Sequence, residues 1–448
     1  MLDVIVVGAG FAGLSAATKL SSLGASVLVL EAKSHLGGRA TSIRDSVTGQ
    51  WVDNGQHVLF GCYRETFKFL ERIGTRQDIR LRSTLVVDVV DSQSQQTRIE
   101  CPHLPPPLHL IAGILEWDAL PLRDRWAVCR LIAPLIQARR SLRNGYDSRF
   151  ARTEETVREW LIRHGQGKRL RELLWEPLAL AALNQQAEHA SVGTFIRVLA
   201  DLSSHDLTNS AIGLPTRALI ELYAKPARRF IEEHGGIVRT KARATVKTVG
   251  KRLVGVDIDG ECVPARTVIS AVPWYALSRL FEGRPTALST IMSSAEAMAS
   301  SPIVTVNLWL DRQFLSTPFL GLPGRSMQWV FDKQQILGAG VSHVTMVASG
   351  ASNLLKRSNS ELIALAEKEL RQVLSEKAWH VRHASVIREP LATFSLAAGQ
   401  PLRPETVTAI NGFFLAGDWI QTGLPGTIES AVVSGHRAAD KTILSLTF

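Results

Sequence analysis

The positions of this chain best suited to chemistry lie close to its start. Gly8, Gly10 and Gly13, with Ala12 between the last two, form a G-x-G-x-x-G turn directly after the apolar run Val4 to Val7, and Glu31 closes the next such run, Val27 to Leu30. In a turn of this kind the first glycine permits the sharp reversal, the second lets the backbone approach a pyrophosphate, and the third lets helix and strand pack closely. An acid at the end of the second strand accepts hydrogen bonds from a ribose. Leu14, Ala17 and Leu20, at helical spacing before Gly24, supply a helix whose first N–H groups and positive dipole end face the anion. The pattern predicts a dinucleotide-binding unit; an ordinary glycine turn would need neither the helix nor the acid.

The residues that follow narrow the ligand. Glu31 and Ala32 lead to Gly37, Gly38 and Arg39, two glycines that let the backbone pass a ligand and a guanidinium able to offset phosphate charge. This segment resembles the second phosphate-contacting turn of the FAD-binding amine-oxidase superfamily. Near the other end, the apolar run Phe413 to Ala416 enters Gly417-Asp418, and Gly426-Thr427-Ile428 opens a helix of small residues. The resemblance implies that Asp418 meets the ribityl and pyrophosphate region, that the helix start faces the flavin pyrimidine, and that Val246 contacts the adenine through its backbone. A reduced flavin carries negative charge near N1 and O2, which N–H groups and a helix dipole at Thr427 and Ile428 would stabilise. No cysteine follows Cys262, so the FAD is expected to be non-covalent.

Three longer strings are more specific: Val52 to Tyr63, which contains Gly55, Gln56 and His57; Leu174 to Asn184, which contains Glu176; and Gly417 to Pro425. Together they resemble the squalene-associated FAD enzymes, the hydroxysqualene dehydroxylases of hopanoid and isoprenoid biosynthesis. The resemblance covers essentially the whole chain. It implies an FAD-dependent oxidoreductase that removes an allylic hydroxyl reductively from hydroxysqualene, giving squalene, with a long-chain isoprenoid substrate and an external electron donor. Loss of hydroxide needs an acid. His57 is the first candidate, because its glycine-rich segment should pass near the flavin, and Glu176 is the second. The alternatives are a carotenoid (phytoene)-type FAD-dependent desaturase and a binding protein that keeps the fold without flavin. Amine oxidation is disfavoured, because no tyrosine follows Tyr275 and the strand-like run Ile303 to Leu310 has no lysine.

The elements that position these residues follow from length and pattern. At 448 residues the chain exceeds one ordinary core. The expected class is α/β, a Rossmann-like FAD-binding domain of the amine-oxidase type interleaved with a mixed α+β substrate domain. The first is expected from residues 1–65, 205–283 and 386–448, the second from 66–204 and 284–385. Val157, Trp160 and Leu161 read as a helix ending before Gly165, and Ser358 with Glu361 reads as a helix cap. The four cysteines are far apart and offer neither a zinc site nor a disulfide framework.

A net charge of +10 favours an anionic partner. Without a zinc finger or an aromatic RNA-binding signature, nucleic acid is not expected. Residues 102–143 join a proline-rich apolar stretch to Val128, Leu131, Ile132, Leu135 and Ile136 at helical spacing, with Trp126 and Arg123, Arg125, Arg130, Arg139, Arg140 and Arg143 around them. Such a face suits either an anionic membrane surface or the protein core, and Pro134 should kink it. With no basic leader and no apolar run of roughly 18 residues, the expected location is cytoplasmic, peripheral on the inner face of a bacterial membrane.

Overall fold

A computed structural model describes residues 2–143, 154–204, 206–338, 340, 342–374 and 378–446. Its organising element is a five-stranded parallel sheet. The strands run in the order Ile237–Thr240, Val27–Glu31, Leu2–Val7, Ala265–Ser270 and Phe413–Leu415, so three distant segments are woven into one layer. Val4, Ile5 and Val6 are fully buried, as the centre of a parallel sheet covered on both faces requires. The helix Phe11–Ser21 covers one face, and the last helix, Ile428–Leu446, lies against it. Glycine sets both approaches. A Cβ at Gly13 would lie 1.9 Å from the Gly8 carbonyl oxygen, and one at Gly435 would lie 2.3 Å from that of Ala12.

The second large element is a seven-stranded sheet in the order Val381–Phe394, Ser300–Leu310, His343–Ser349, Trp329–Asp332, Phe319–Gly321, Val86–Val90 and Gln96–Glu100. Its pairs are antiparallel except where Gly321 meets Val89. The strand Val381–Phe394 pairs with Ser300–Leu310 from Ser300↔Phe394 to Leu310↔Val381, so the segment boundary expected at 386 falls in mid-strand. The physical reason is continuity of the ladder: a long edge strand keeps its hydrogen bonds until Phe394, where it turns toward the cofactor side.

Among the described residues, three small sheets and the helices make up the rest. Val157–Arg163 opens on a capping box from Thr156 and Glu159, and Gly165 follows it at φ +66°. Asn359–Val373 opens on the box from Ser358 and Glu361. The stretch expected to kink at Pro134 is divided into a helix Leu122–Ala127, a 3-10 turn Val128–Leu131 and a helix Ile132–Arg143. Pro134 therefore sits just after the 3-10 turn, in the first turn of the last piece, next to the break in the α-helical run. Val128 and Leu131 are buried in the main core, so this part of the apolar face turns inward. The side chain of Arg143 lies outside the described residues. Among those described, no helix is long and apolar enough to cross a membrane.

Candidate active site

The carboxyl ends of the parallel strands open on a cavity of about 890 Å³. Gly8, Gly10, Ala12, Glu31, Ala32, Gly38 and Arg39 face it from the first segment, and Gly417, Asp418, Gly426, Thr427 and Ile428 face it from the last. Gly13 does not; it is consumed in packing against Gly8. The helix Phe11–Ser21 begins with no side chain capping its N-terminus, which leaves its first N–H groups to the cavity. A Cβ at Gly10 would meet nothing closer than 3.8 Å, from Gly37 and Gly38, so this backbone borders open space. Gly37 and Gly38 have φ of +111° and +60°, a curl that draws the chain over that helix start. Glu31 is held facing the turn: its Oε2 accepts from the Ala9 N–H at 3.0 Å and its Oε1 from the Lys33 N–H at 2.9 Å.

Arg39 ties the two ends together. Its guanidinium donates to both carboxylate oxygens of Asp418, at 3.1 Å through Nη1 and at closer range through Nη2, and also to the Ala392 carbonyl at 3.1 Å. Burial alone would lower its pKa, but Asp418 outweighs this and raises it. Asn54 adds a second clamp, donating to the Arg39 carbonyl at 2.8 Å and to Glu389 Oε1 at 2.9 Å. Val246 itself is not among the residues lining the cavity. It is buried in its strand, paired with Val256 and bridged to Phe281, while Ala244 and Thr245 are the residues that face the cavity.

Gly55, Gln56 and His57 line the same cavity. The His57 Nδ1 lies 3.0 Å from the Gly55 carbonyl, to which it must donate, so the neutral ring keeps its lone pair on Nε2. Burial lowers the His57 pKa. Beneath the loop is a lysine that sequence reading passed over. Lys333 is 2 % exposed and donates to Asp53 Oδ2 at 3.3 Å and to Gln56 Oε1 at 2.7 Å. Its one signal is position, the first residue after the strand Trp329–Asp332 and at the start of a short helix.

Glu176 is elsewhere. It accepts from Arg158 at 3.0 Å, has Arg171 at 3.8 Å, and borders a second cavity of about 610 Å³ rather than the cofactor cleft. The basic neighbours explain the displacement: they hold the carboxylate on the helical side of the molecule as a structural anion. This second cavity is mostly apolar, with Ile132, Leu135 and Ile136 on one wall. Part of the face read as a membrane or core surface thus lines this cavity, while Ile136 at its edge is also exposed to solvent. The two cavities share Phe60, Ala181, Ile212 and Trp329 in their linings, and so lie side by side across these residues.

A glycine turn with a terminal acid, an open helix start, and a second helix start at Thr427 and Ile428 across one cleft define a dinucleotide-dependent oxidoreductase. The chain belongs to the flavin containing amine oxidoreductase family, whose model matches residues 11–443. FAD is its cofactor, and the cleft suits it: Gly10 leaves room where a side chain would intrude, Gly38 lets its turn pack against Gly10, and Arg39 and the Phe11 helix supply charge and donors. The chain is 28 % identical to the hydroxysqualene dehydroxylase of Sinorhizobium fredii, over 98 % of this chain and 97 % of that enzyme. It is 23 % identical to the 15-cis-phytoene desaturase of Solanum lycopersicum, over 98 % of this chain and 77 % of that one. Among solved structures, putrescine oxidase bound to putrescine superposes with a TM-score of 0.74 at 19 % identity, covering 99 % of both chains. An oxidoreductase from Methanosarcina mazei gives 0.74 at 17 % identity, over 98 % of this chain and 100 % of the other.

Proposed function

We propose that the enzyme removes the allylic hydroxyl of hydroxysqualene reductively, releasing squalene and water. The observation that carries this reading is the adjacency of a mostly apolar cavity to the cofactor cleft, the two sharing Phe60, Ala181, Ile212 and Trp329 in their linings. A long hydrocarbon gains ~0.8 kcal/mol for each CH₂ removed from water, so a channel of this lining suits it and repels small polar amines. The likeness to hydroxysqualene dehydroxylases over nearly the full length supports the same choice. When bound, reduced flavin supplies hydride.

The chain's own residues divide the remaining work. Gly8, Gly10, Gly38, Arg39 and the Phe11 helix start hold the pyrophosphate, and Glu31 holds a ribose. Thr427 and Ile428 present a helix start to the ring. His57 handles the proton that leaves with the hydroxyl, its Nδ1 side fixed by Gly55, and the role passes to it alone because Glu176 borders the other cavity. The FAD-binding domain and the substrate domain divide along the parallel and seven-stranded sheets. Leu104, Leu108, Leu122 and Trp126 are exposed, and the Arg123 side chain is 88 % exposed beside them in sequence, a composition suited to peripheral contact with an anionic bilayer that stores the substrate. The electrons come from an external donor.

Anaerobic incubation of the purified protein with hydroxysqualene and chemically reduced flavin tests the reading. Squalene is the expected product. The second reading, an oxidative phytoene-type desaturase, is favoured by the phytoene desaturase relatives. It predicts no squalene, and a conjugated polyene when phytoene and an oxidant are supplied.

A further inference from the structure

We propose that the aromatic cluster at the meeting of the two cavities is a cation-holding box, built from Phe60, Phe319, Trp329 and Phe331, that takes terpenoid chains bearing a delocalised or quaternary positive charge. This rests on the dehydroxylation reading and adds to it the residues that stabilise the charged species. Phe319 and Phe331 are directly opposite in adjacent antiparallel strands, and Trp329 lies opposite Gly321 two residues along, so all three rings stand on one face of the seven-stranded sheet. Their centroids are 5.9 Å (Phe319–Phe331), 6.3 Å (Phe319–Trp329) and 6.4 Å (Trp329–Phe331) apart, and all three border the cofactor cleft. Gly321 makes room for the indole: a Cβ there would stand 3.2 Å from Trp329 Cζ3. Phe60 packs against the same hydrophobic cluster and lines both cavities.

Two features separate this cluster from ordinary core. First, its rings carry none of the protein's own cations among the described residues, whereas Arg39 sits 5.2 Å over Trp274 and Arg76 sits 4.1 Å over Phe67. The three rings that line the cleft thus have no cation of the described residues over them. Second, the four residues common to both cavities include no carboxylate, so a positive centre there meets ring quadrupoles and apolar groups rather than a nucleophile that would capture it. In the dehydroxylation, protonation of the hydroxyl and heterolysis of the C–O bond send the bonding pair away with water and leave an allylic cation. Hydride from a two-electron donor of the dihydroflavin class completes the balance: alcohol, proton and hydride become hydrocarbon and water. The box holds the charge between these events and keeps a second water from returning.

The test uses the oxidised holoprotein, which cannot turn over, and two probes of equal shape: farnesyl-trimethylammonium and its neutral tert-butyl carbon isostere. Calorimetric titration should show the charged probe binding about tenfold more tightly, consistent with a desolvated cation–π contact. Trp329→Leu and Phe319→Leu should each cut that preference at least threefold while changing affinity for the neutral probe less, and Trp329→Phe should retain most of it. Phe60→Leu provides the same reading from outside the seven-stranded sheet should a sheet variant lose flavin or fail to fold. Equal affinity for both probes in the unaltered protein would overturn the box. A preference for charge without any conversion of hydroxysqualene would instead overturn the proposed reaction and leave the box standing.

Discussion

Arg39 and Asp418 are joined by a two-point ion pair across 379 positions of chain, and both border the cofactor cleft. The Asp418 side chain is 6 % exposed, so Arg39→Met strands a buried carboxylate and is expected to cost about 3 kcal/mol. Urea denaturation of the flavin-free protein measures it. Arg39→Met with Asp418→Asn should recover much of that loss while still binding flavin poorly; a single variant as stable as the parent would show that the pair contributes nothing to the fold.

Gly10→Val and Gly13→Val should part company. The added atoms at position 10 enter the cavity, giving a folded protein that purifies colourless. At position 13 they would overlap the Gly8 carbonyl, giving little soluble protein. Circular dichroism and the flavin absorption band separate the outcomes, and full flavin content in Gly10→Val would contradict the placement of the pyrophosphate.

His57 sets a pH dependence of known sign. Burial lowers its pKa from 6.5, so the imidazolium needed for a proton donor grows only on the acid side of that value. The rate kcat/KM should therefore fall as pH rises, with its inflection below 6.5, and His57→Gln should lose at least a hundredfold and flatten that limb. Stability runs the other way: below pH 6.5 the unfolded chain takes up a proton that the folded one resists, so unfolding becomes easier as pH falls. An unchanged profile in His57→Gln would remove it from proton transfer.

Lys333→Met leaves Asp53, 4 % exposed, without its cation, though the Ser42 hydroxyl at 2.7 Å and the Leu219 N–H at 3.1 Å still donate to it. The expected loss is about 3 kcal/mol, visible as a lowered melting temperature. Adding Asp53→Asn should restore part of it, because an amide oxygen accepts the same two bonds. Free release of Gln56 should also loosen flavin retention in the single variant.

Much of the cofactor site could be read directly from residue order, because a nucleotide turn is local: Leu2 to Glu31 forms a strand, turn, helix and strand within one short segment, and Phe413 to Ile428 runs from a strand through a turn to a helix start for the other wall. What could not be read depends on distant pairing. Lys333 is an ordinary-looking lysine until Asp53 and Gln56 are folded over it. The aromatic box needs two strands in register with a glycine between them. The face at Ile132, Leu135 and Ile136 has the same periodicity whether it meets lipid, core or an internal cavity. The strand of Val246 was legible from the resemblance, but not that its neighbouring residues Ala244 and Thr245 would line the cavity, a placement set by how the strand end meets the parallel sheet.

The parallel sheet takes its strands from Leu2–Val7 and Val27–Glu31, from Ile237–Thr240 and Ala265–Ser270, and from Phe413–Leu415. During synthesis the nucleotide turn therefore leaves the ribosome long before the edge strand and the Gly417–Ile428 wall that complete its pocket exist. Non-local pairings of this kind close slowly and expose apolar strand edges meanwhile. Nascent chains halted before residue 413 should carry no flavin and call on chaperones, whereas release of the final helix should trigger cofactor uptake in a single late step.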